Sequence, residues 1–175
     1  MADSRTFRNN NGSSFLGEEQ LSWLKKSLSS SSASFKIIII SSQVNNTANG
    51  HESYQNFPKE RASLVNYIMS NEIPGVIFFS GDRHHSEVLI ENNNYRYPMY
   101  DVTCSSLSSP RPKFRKWGAE RKNDLRLPGS LITKHNYGYA SVSGGEGNKT
   151  LNLSFKNENG KNIFSFSLSM SDLGY

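Results

Sequence analysis

The sequence holds a single cysteine, Cys104, in 175 residues. That excludes an intrachain disulfide and every cysteine-rich zinc module, and it leaves Cys104 to be read as a small buried thiol. No apolar stretch approaches the roughly 18 residues that a membrane-spanning helix needs. The first residues, Met1-Ala-Asp-Ser-Arg-Thr-Phe-Arg8, lack the apolar segment of a secretory leader. Carboxylates are scarce, with 15 Asp and Glu against 20 Lys and Arg and a net charge of +5. This excess favours anionic partners, phosphates or nucleic acid, and says nothing about fold. Hydrophobic residues make up only 35%. The polarity is mostly Ser and Asn, and the apolar residues gather into runs, which fits long loops on a globular domain better than disorder. The length suffices for one domain with a real core. No internal repeat is present.

What is there is organised around Gly75-Val-Ile-Phe-Phe-Ser-Gly-Asp-Arg-His-His-Ser-Glu87. An apolar run, Val76 to Phe79, stops at Ser80-Gly81 and reads as a buried strand. Asp82, His84 and His85 follow, where open α/β sheets place their sites. If the loop is extended, Asp82 and His84 point to the same side, and a carboxylate oxygen and an imidazole nitrogen converge on a metal.

Upstream, Leu21, Leu24 and Leu28 mark the apolar face of a helix over Leu16 to Leu28, with Glu18 and Glu19 in its first turn and Lys25 and Lys26 in its last. Ser27 to Ser34 reads as a loop. Phe35 to Ile40, β-branched and bounded by serines, reads as a central parallel strand. Its polar loop, Ser41 to Glu52, leads to a helix opening at Pro58, with an apolar face of Leu64, Val65, Ile68 and Met69. Strand, helix and strand form a βαβ unit that brings the Ser41–Glu52 loop beside Asp82 and His84. Beyond it the pattern changes. Glu87 to Glu91 and Tyr97 to Cys104 read as strands around an Asn turn. Further strands fit Gly138 to Ser143, Leu151 to Phe155 and Ile163 to Ser169, the last two flanking the hairpin signal Asn159-Gly160. The expectation is a mixed sheet with one βαβ unit followed by β-hairpins.

Five blocks in order resemble the PhoD-like metallophosphoesterases, the alkaline phosphatase D family, in their C-terminal part. Asp3-Ser-Arg-Thr-Phe-Arg8 is similar to the family's Asp-x-Arg-x-Tyr/Phe-Arg block, and Leu16-Gly-Glu-Glu-Gln-Leu-Ser-Trp-Leu24 to its Leu-Gly-x-x-Gln-x-x-Trp-Leu helix. Glu52-Ser-Tyr-Gln-Asn-Phe-Pro-Lys-Glu-Arg61 looks like its Asp-x-Trp-x-x-Tyr-x-x-Glu-Arg block, with Glu52 for the more usual Asp and Tyr54 for Trp. Ser80-Gly-Asp-Arg-His84 matches its Gly-Asp-x-His metal motif, and Tyr97 to Ser106 the strand and serine-rich loop that follow. The resemblance implies a four-layer αββα sandwich with a metal centre, and hydrolysis of phosphomonoesters or phosphodiesters by a metal-activated water. Asp82 and His84 would be metal ligands, for divalent or ferric ions of the Ca, Fe, Mn or Zn class. Arg5 would clamp the phosphate oxygens of the substrate, and His85 is the candidate catalytic imidazole, able to orient a ligand or protonate a leaving group.

The family's earlier ligand loops have no counterpart in these 175 residues. Residues 1–175 therefore read as a partial domain whose N-terminal half is missing. That half is a candidate partner, and any signal for an extracytoplasmic or periplasmic location would lie in it. Two ligands do not make a catalytic metal site, which takes at least three from protein plus water. The alternative is a non-catalytic remnant or interaction module.

Plainer roles stand beside each candidate: a strand-end turn for Asp82 and His84, an ion pair for Arg5 and Arg8, a structural pairing for Arg61, and structural places for His85 and Glu87. Residues 111 to 126 carry seven basic side chains, with Phe114 and Trp117 among them. A solvated loop near an anionic substrate is favoured there over nucleic-acid binding.

Overall fold

A computed structural model describes residues 1–9, 12–48, 52–109 and 122–175. Helix α1 spans Glu18–Ser30. Strand β1 follows at Lys36–Ile39, and after a short 3-10 turn at Tyr54–Asn56 comes helix α2, Pro58–Ser70. Then come β2 (Val76–Ser80), β3 (Ser86–Glu91) and β4 (Met99–Cys104). The last strands are β5 (Tyr137–Ser143), β6 (Thr150–Lys156) and β7 (Asn162–Ser169).

The first sheet has the order β1-β2-β4-β3. β1, β2 and β4 are parallel, and β3 returns antiparallel against β4 through the Asn turn. The second sheet, β5-β6-β7, is antiparallel throughout. The architecture is the expected α/β one, a mixed sheet with one βαβ unit followed by hairpins. Among the described residues it amounts to three layers of the sandwich, α, β and β, with no helix on the outer face of the second sheet.

Alternation along the strands builds two cores. Ile38, Ile40, Val76 and Phe78 face the helices and pack with Leu24, Leu28, Leu64, Val65 and Ile68. Ile77, Val88 and Val102 face the other way and pack with Leu151, Leu153, Phe155 and Leu168 of the second sheet. Leu64 and Ile68 are fully buried, and each such side chain contributes about 2–3 kcal/mol. The β6–β7 turn forms as its Asn-Gly signal predicts. Gly160 has φ +75, and Asn157 Oδ1 accepts the N–H groups of Asn159 and Lys161.

Three details differ from the sequence reading. Helix α1 runs on to Ser30, so Lys25 and Lys26 leave its last turn, which has no base. Lys25 instead reaches Ser63 Oγ at 2.7 Å and sits over the Tyr67 ring. β1, expected to be central, is an edge of its sheet, and Ile37 and Ile39 are 40% and 47% exposed. The uniform Ile run suggested burial on both faces, yet among the described residues the first sheet has no strand beyond β1. Cys104 is exposed, not buried; it is the last residue of β4, with Gly138 of the second sheet beside its Sγ.

Candidate functional site

The β1 and β2 strands start together because Gly75 allows it. Gly75 has φ +78, and a Cβ there would lie 2.4 Å from the Ser34 carbonyl oxygen. Lys36 N–H donates to the Gly75 carbonyl at 2.6 Å. Being parallel, both strands deliver their loops to one edge, where Gly81 N–H donates to Ser41 O at 3.3 Å. The expected adjacency of the two loops is therefore present.

Past β2 the chain is not extended. Asp82 has φ +67 and His84 φ +57, both in the left-handed region. Residues two apart in such a turn do not share a side as they do in extended chain. Both side chains are exposed. Left-handed conformation at two non-glycine residues costs about 1–3 kcal/mol each and gathers at functional sites. Between them Arg83 is buried; desolvation pulls its guanidinium pKa down, and the Glu87 and Asp82 carboxylates oppose this. Ser105 Oγ pins the turn by accepting Arg83 N–H at 2.9 Å and donating to His85 O at 3.0 Å.

Arg5 reaches this turn from the N-terminal segment. Asp3 Oδ1 accepts the N–H groups of Arg5 and Thr6, which folds the segment on itself. Gln20 of α1 holds it in place, accepting Asp3 N–H and donating to Asp3 O, each at 2.7 Å. Arg5 Nη1 then lies 2.7 Å from Glu52 Oε2, and its Nη2 lies 3.8 Å from Asp82 Oδ2. Arg8 Nη1 meets the same Glu52 oxygen at 2.8 Å. Burial alone would raise the Glu52 pKa, but Arg8 and Arg5 override it and hold the carboxyl below its usual range. Arg5, Glu52 and Asp82 thus form one half-exposed charged cluster.

His85 lies elsewhere, 1% exposed beneath the turn. Its Nδ1 is 2.8 Å from Arg83 O and its Nε2 is 2.9 Å from Glu87 Oε1. Glu87 also accepts from Gln43 Nε2 and Arg126 Nε. Burial would raise Glu87, yet the His85 hydrogen bond and charge, with Arg126 and Gln43, hold its pKa down to about 2. Beside it Asp101, fully buried on β4, accepts from Ser80 Oγ (2.6 Å), Val44 N–H (2.6 Å) and Asn45 N–H (3.0 Å). Burial outweighs those bonds and raises its pKa to about 6. Asp101 thereby ties the loop after β1 to the last residue of β2, one step from Gly81.

Sequence reasoning missed Gln20, Gln43 and Asp101. All three are polar residues made structural by long-range partners, and their only signal was Gln20 and Asp101 standing inside matched blocks. Arg61 is structural as its plainer reading had it, pairing with Glu91 and donating to Val44 O at 2.7 Å. Glu60 accepts Phe15 and Leu16 N–H at 3.0 and 2.8 Å. Most of the basic stretch, residues 110–121, lies outside the described residues. Of its remainder, Arg126 is committed to Glu87.

A family profile described as PhoD-like phosphatase matches residues 2–150. The chain belongs to the PhoD-like phosphatase family. A solved structure described as "Structure of PhoD" superposes with a TM-score of 0.66 at 15% identity, over 89% of this chain and 32% of that one. At that identity the likeness shows the fold. The chain thus spans about a third of the solved PhoD chain. No curated protein matches in sequence.

A catalytic metal takes at least three protein ligands. Among the described residues no group of three or more His, Cys, Asp or Glu side chains is placed to hold one. Asp82 faces Arg5, and Glu52 pairs with both Arg5 and Arg8. These residues do not by themselves assemble a metal centre. No described helix is long and apolar enough to cross a membrane.

Proposed function

We propose that this chain supplies one side of a metal-dependent phosphoesterase centre acting on phosphate esters. In this reading Asp82 and His84 are two of its metal ligands, and the remaining donors come from polypeptide outside the 175 residues. The observation that carries the reading is the charged cluster at the β2 end. There Arg5 bridges Glu52 and Asp82, beside two ligand-type side chains held in left-handed backbone.

Arg5 is half exposed between the partly exposed carboxylates of Glu52 and Asp82, a place from which a guanidinium can meet a phosphate oxygen. Arg8, stacked over Phe15 and Phe57, fixes Glu52 and so sets the place of Arg5. His85 acts as a positioning residue: held between Arg83 O and Glu87, it fixes the turn that carries Asp82 and His84. Donating a proton to a leaving group would require it to leave that buried pair.

Two measurements test this. The purified chain titrated calorimetrically with Mn²⁺ should bind weakly and hydrolyse bis-p-nitrophenyl phosphate no faster than background. In an enzyme completed with the rest of a PhoD-like domain, Arg5→Ala should lower kcat/KM by about 10²-fold, and Asp82→Ala should abolish turnover. Full activity of both variants would overturn the assignment. A second reading, an interaction module without catalysis, is favoured by the lack of a third donor among the described residues; it predicts that no completed assembly hydrolyses the ester.

A further inference from the structure

We propose that the outer edge of β7 is a self-association surface, which pairs antiparallel with β7 of a second copy of this chain about a two-fold axis.

On one side of the molecule the sheets end in β3 and β7. The edge of β3 is covered. Leu127 N–H donates to Val88 O, Ile90 N–H donates to Leu125 O, and Ser86 and Ile132 exchange both their bonds. The same segment meets the second sheet at Gly129, whose Cβ position lies 3.8 Å from the Phe164 ring. The middle of β7 has no such cover. Ser169 N–H turns away from β6 and is taken by Asp172 Oδ2 at 2.8 Å. Backbone groups alternate along an antiparallel strand, so those of Ser165 and Ser167 also point away from β6. Both residues are exposed, and no further backbone group among the described residues bonds to them. β7 runs for eight residues with no proline and no charge, so the usual devices that blunt an edge are missing from its middle.

The strand is complementary to itself. With Ser165 set opposite Ser167 of the copy, Phe166 stands opposite Phe166 and Phe164 opposite Leu168. Ser165 and Ser167 pair with Ser154 and Asn152 on the polar outer face. Phe164, Phe166 and Leu168 belong to the apolar layer between the sheets. Antiparallel pairing therefore continues both faces across the axis, polar on polar and apolar on apolar. No charge of the strand meets its own image.

Charge at the two ends of β7 selects a second copy as the occupant. At its start a cleft of about 390 Å³ is lined by Ile132, Lys134, His135, Glu158, Lys161 and Ile163 among others. Ile163 is 44% exposed. Neither Lys134 nor Lys161 takes part in an ion pair among the described residues. Just past the other end stands Asp172, exposed, with only its Oδ2 engaged, by Ser169 N–H and Oγ. The antiparallel register brings residues 170–172 of the copy beside Lys161 and the cleft, and two-fold symmetry repeats this contact at the far end. A parallel neighbour would set Lys161 against Lys161 instead.

The purified chain should sediment as a monomer–dimer equilibrium across micromolar concentrations. In a mixture of isotope-labelled and unlabelled chain, a zero-length carbodiimide should join Lys161 to Asp172 in peptides that carry one partner of each kind. Lys161→Glu sets like charges beside Asp172 and should raise the dimer Kd by about 10-fold with an unchanged circular dichroism spectrum. Ser167→Pro removes an outward N–H that β6 does not use, and should leave only monomer. If that variant does not fold, Lys161→Glu and the mixed cross-link still decide. A monomer at every concentration would overturn the proposal. So would a dimer that Lys161→Glu leaves unchanged, or one cross-linked only away from β7.

Discussion

At the scale of single residues, the site is where this chain departs from its own best stability. Asp82 and His84 occupy left-handed backbone that glycine would fill without strain. The Asp82 contact with Arg5 is long and exposed, so it offsets little of that strain. Asp82→Gly should therefore stabilise the chain by about 1 kcal/mol in urea unfolding, the strain relieved less the entropy glycine adds. A loss of stability would show that the turn is held by something other than function. Glu87 is the opposite case. It is buried, and its two oxygens serve Gln43, His85 and Arg126. Glu87→Gln sets an amide among those donors and removes the negative charge that His85 and Arg126 face. The expected loss is about 3 kcal/mol or more in the same assay, and a loss below about 1 kcal/mol would show that the network is not energetically coupled.

Elements were more legible than their environments. Both helices, the parallel strands, the hairpins and the Asn-Gly turn follow from local apolar period and turn chemistry, which act over a few residues. The edge position of β1 was not legible, because Phe35 to Ile40 has the composition of a strand flanked on both sides and the sequence carries no mark of an absent neighbour. The extended form assumed for Asp82 to His84 failed for a related reason. Left-handed Asp and His leave no signature distinct from ordinary loop residues, whereas Gly75 does. The matched blocks located Arg5, Asp82 and His84, but not the purpose of Gln20, which reaches Asp3 17 residues away, or of Asp101, which reaches Ser80, Val44 and Asn45 at separations of 21, 57 and 56 residues. Gly75 supplies a test at this scale. Its φ of +78 and the 2.4 Å approach to Ser34 O leave no room for Cβ, so Gly75→Ala should lower stability by about 2–3 kcal/mol by separating the starts of β1 and β2. An unchanged melting temperature would show that the strand pairing does not depend on that turn.

For the molecule as a whole, two buried carboxylates of the first sheet pull the pH dependence of folding in opposite directions. The Asp101 pKa is raised in the fold, from 3.8 to about 6, chiefly by burial. Its contribution is fully present below pH 3.8 and is lost as pH rises through 6. The Glu87 pKa is lowered, from 4.5 to about 2, because His85, Arg126 and Gln43 overcome its burial. Its contribution is present above pH 4.5 and is lost as pH falls towards 2. Each shift is worth about 3 kcal/mol at full effect. Glu52 and Asp3, whose carboxyls are also held low by their partners, add to the acid loss. Unfolding free energy should therefore rise as pH is lowered from 7 to about 5, then fall steeply on the acid side. Urea titrations at pH 7, 5 and 3 read this directly. Asp101→Asn should erase the rise between pH 7 and 5 while keeping the acid fall, and Glu87→Gln should weaken the fall while keeping the rise. A wild-type chain whose stability declines steadily from pH 7 to 5 would show that Asp101 stays ionised, and that its bonds from Ser80, Val44 and Asn45 outweigh its burial.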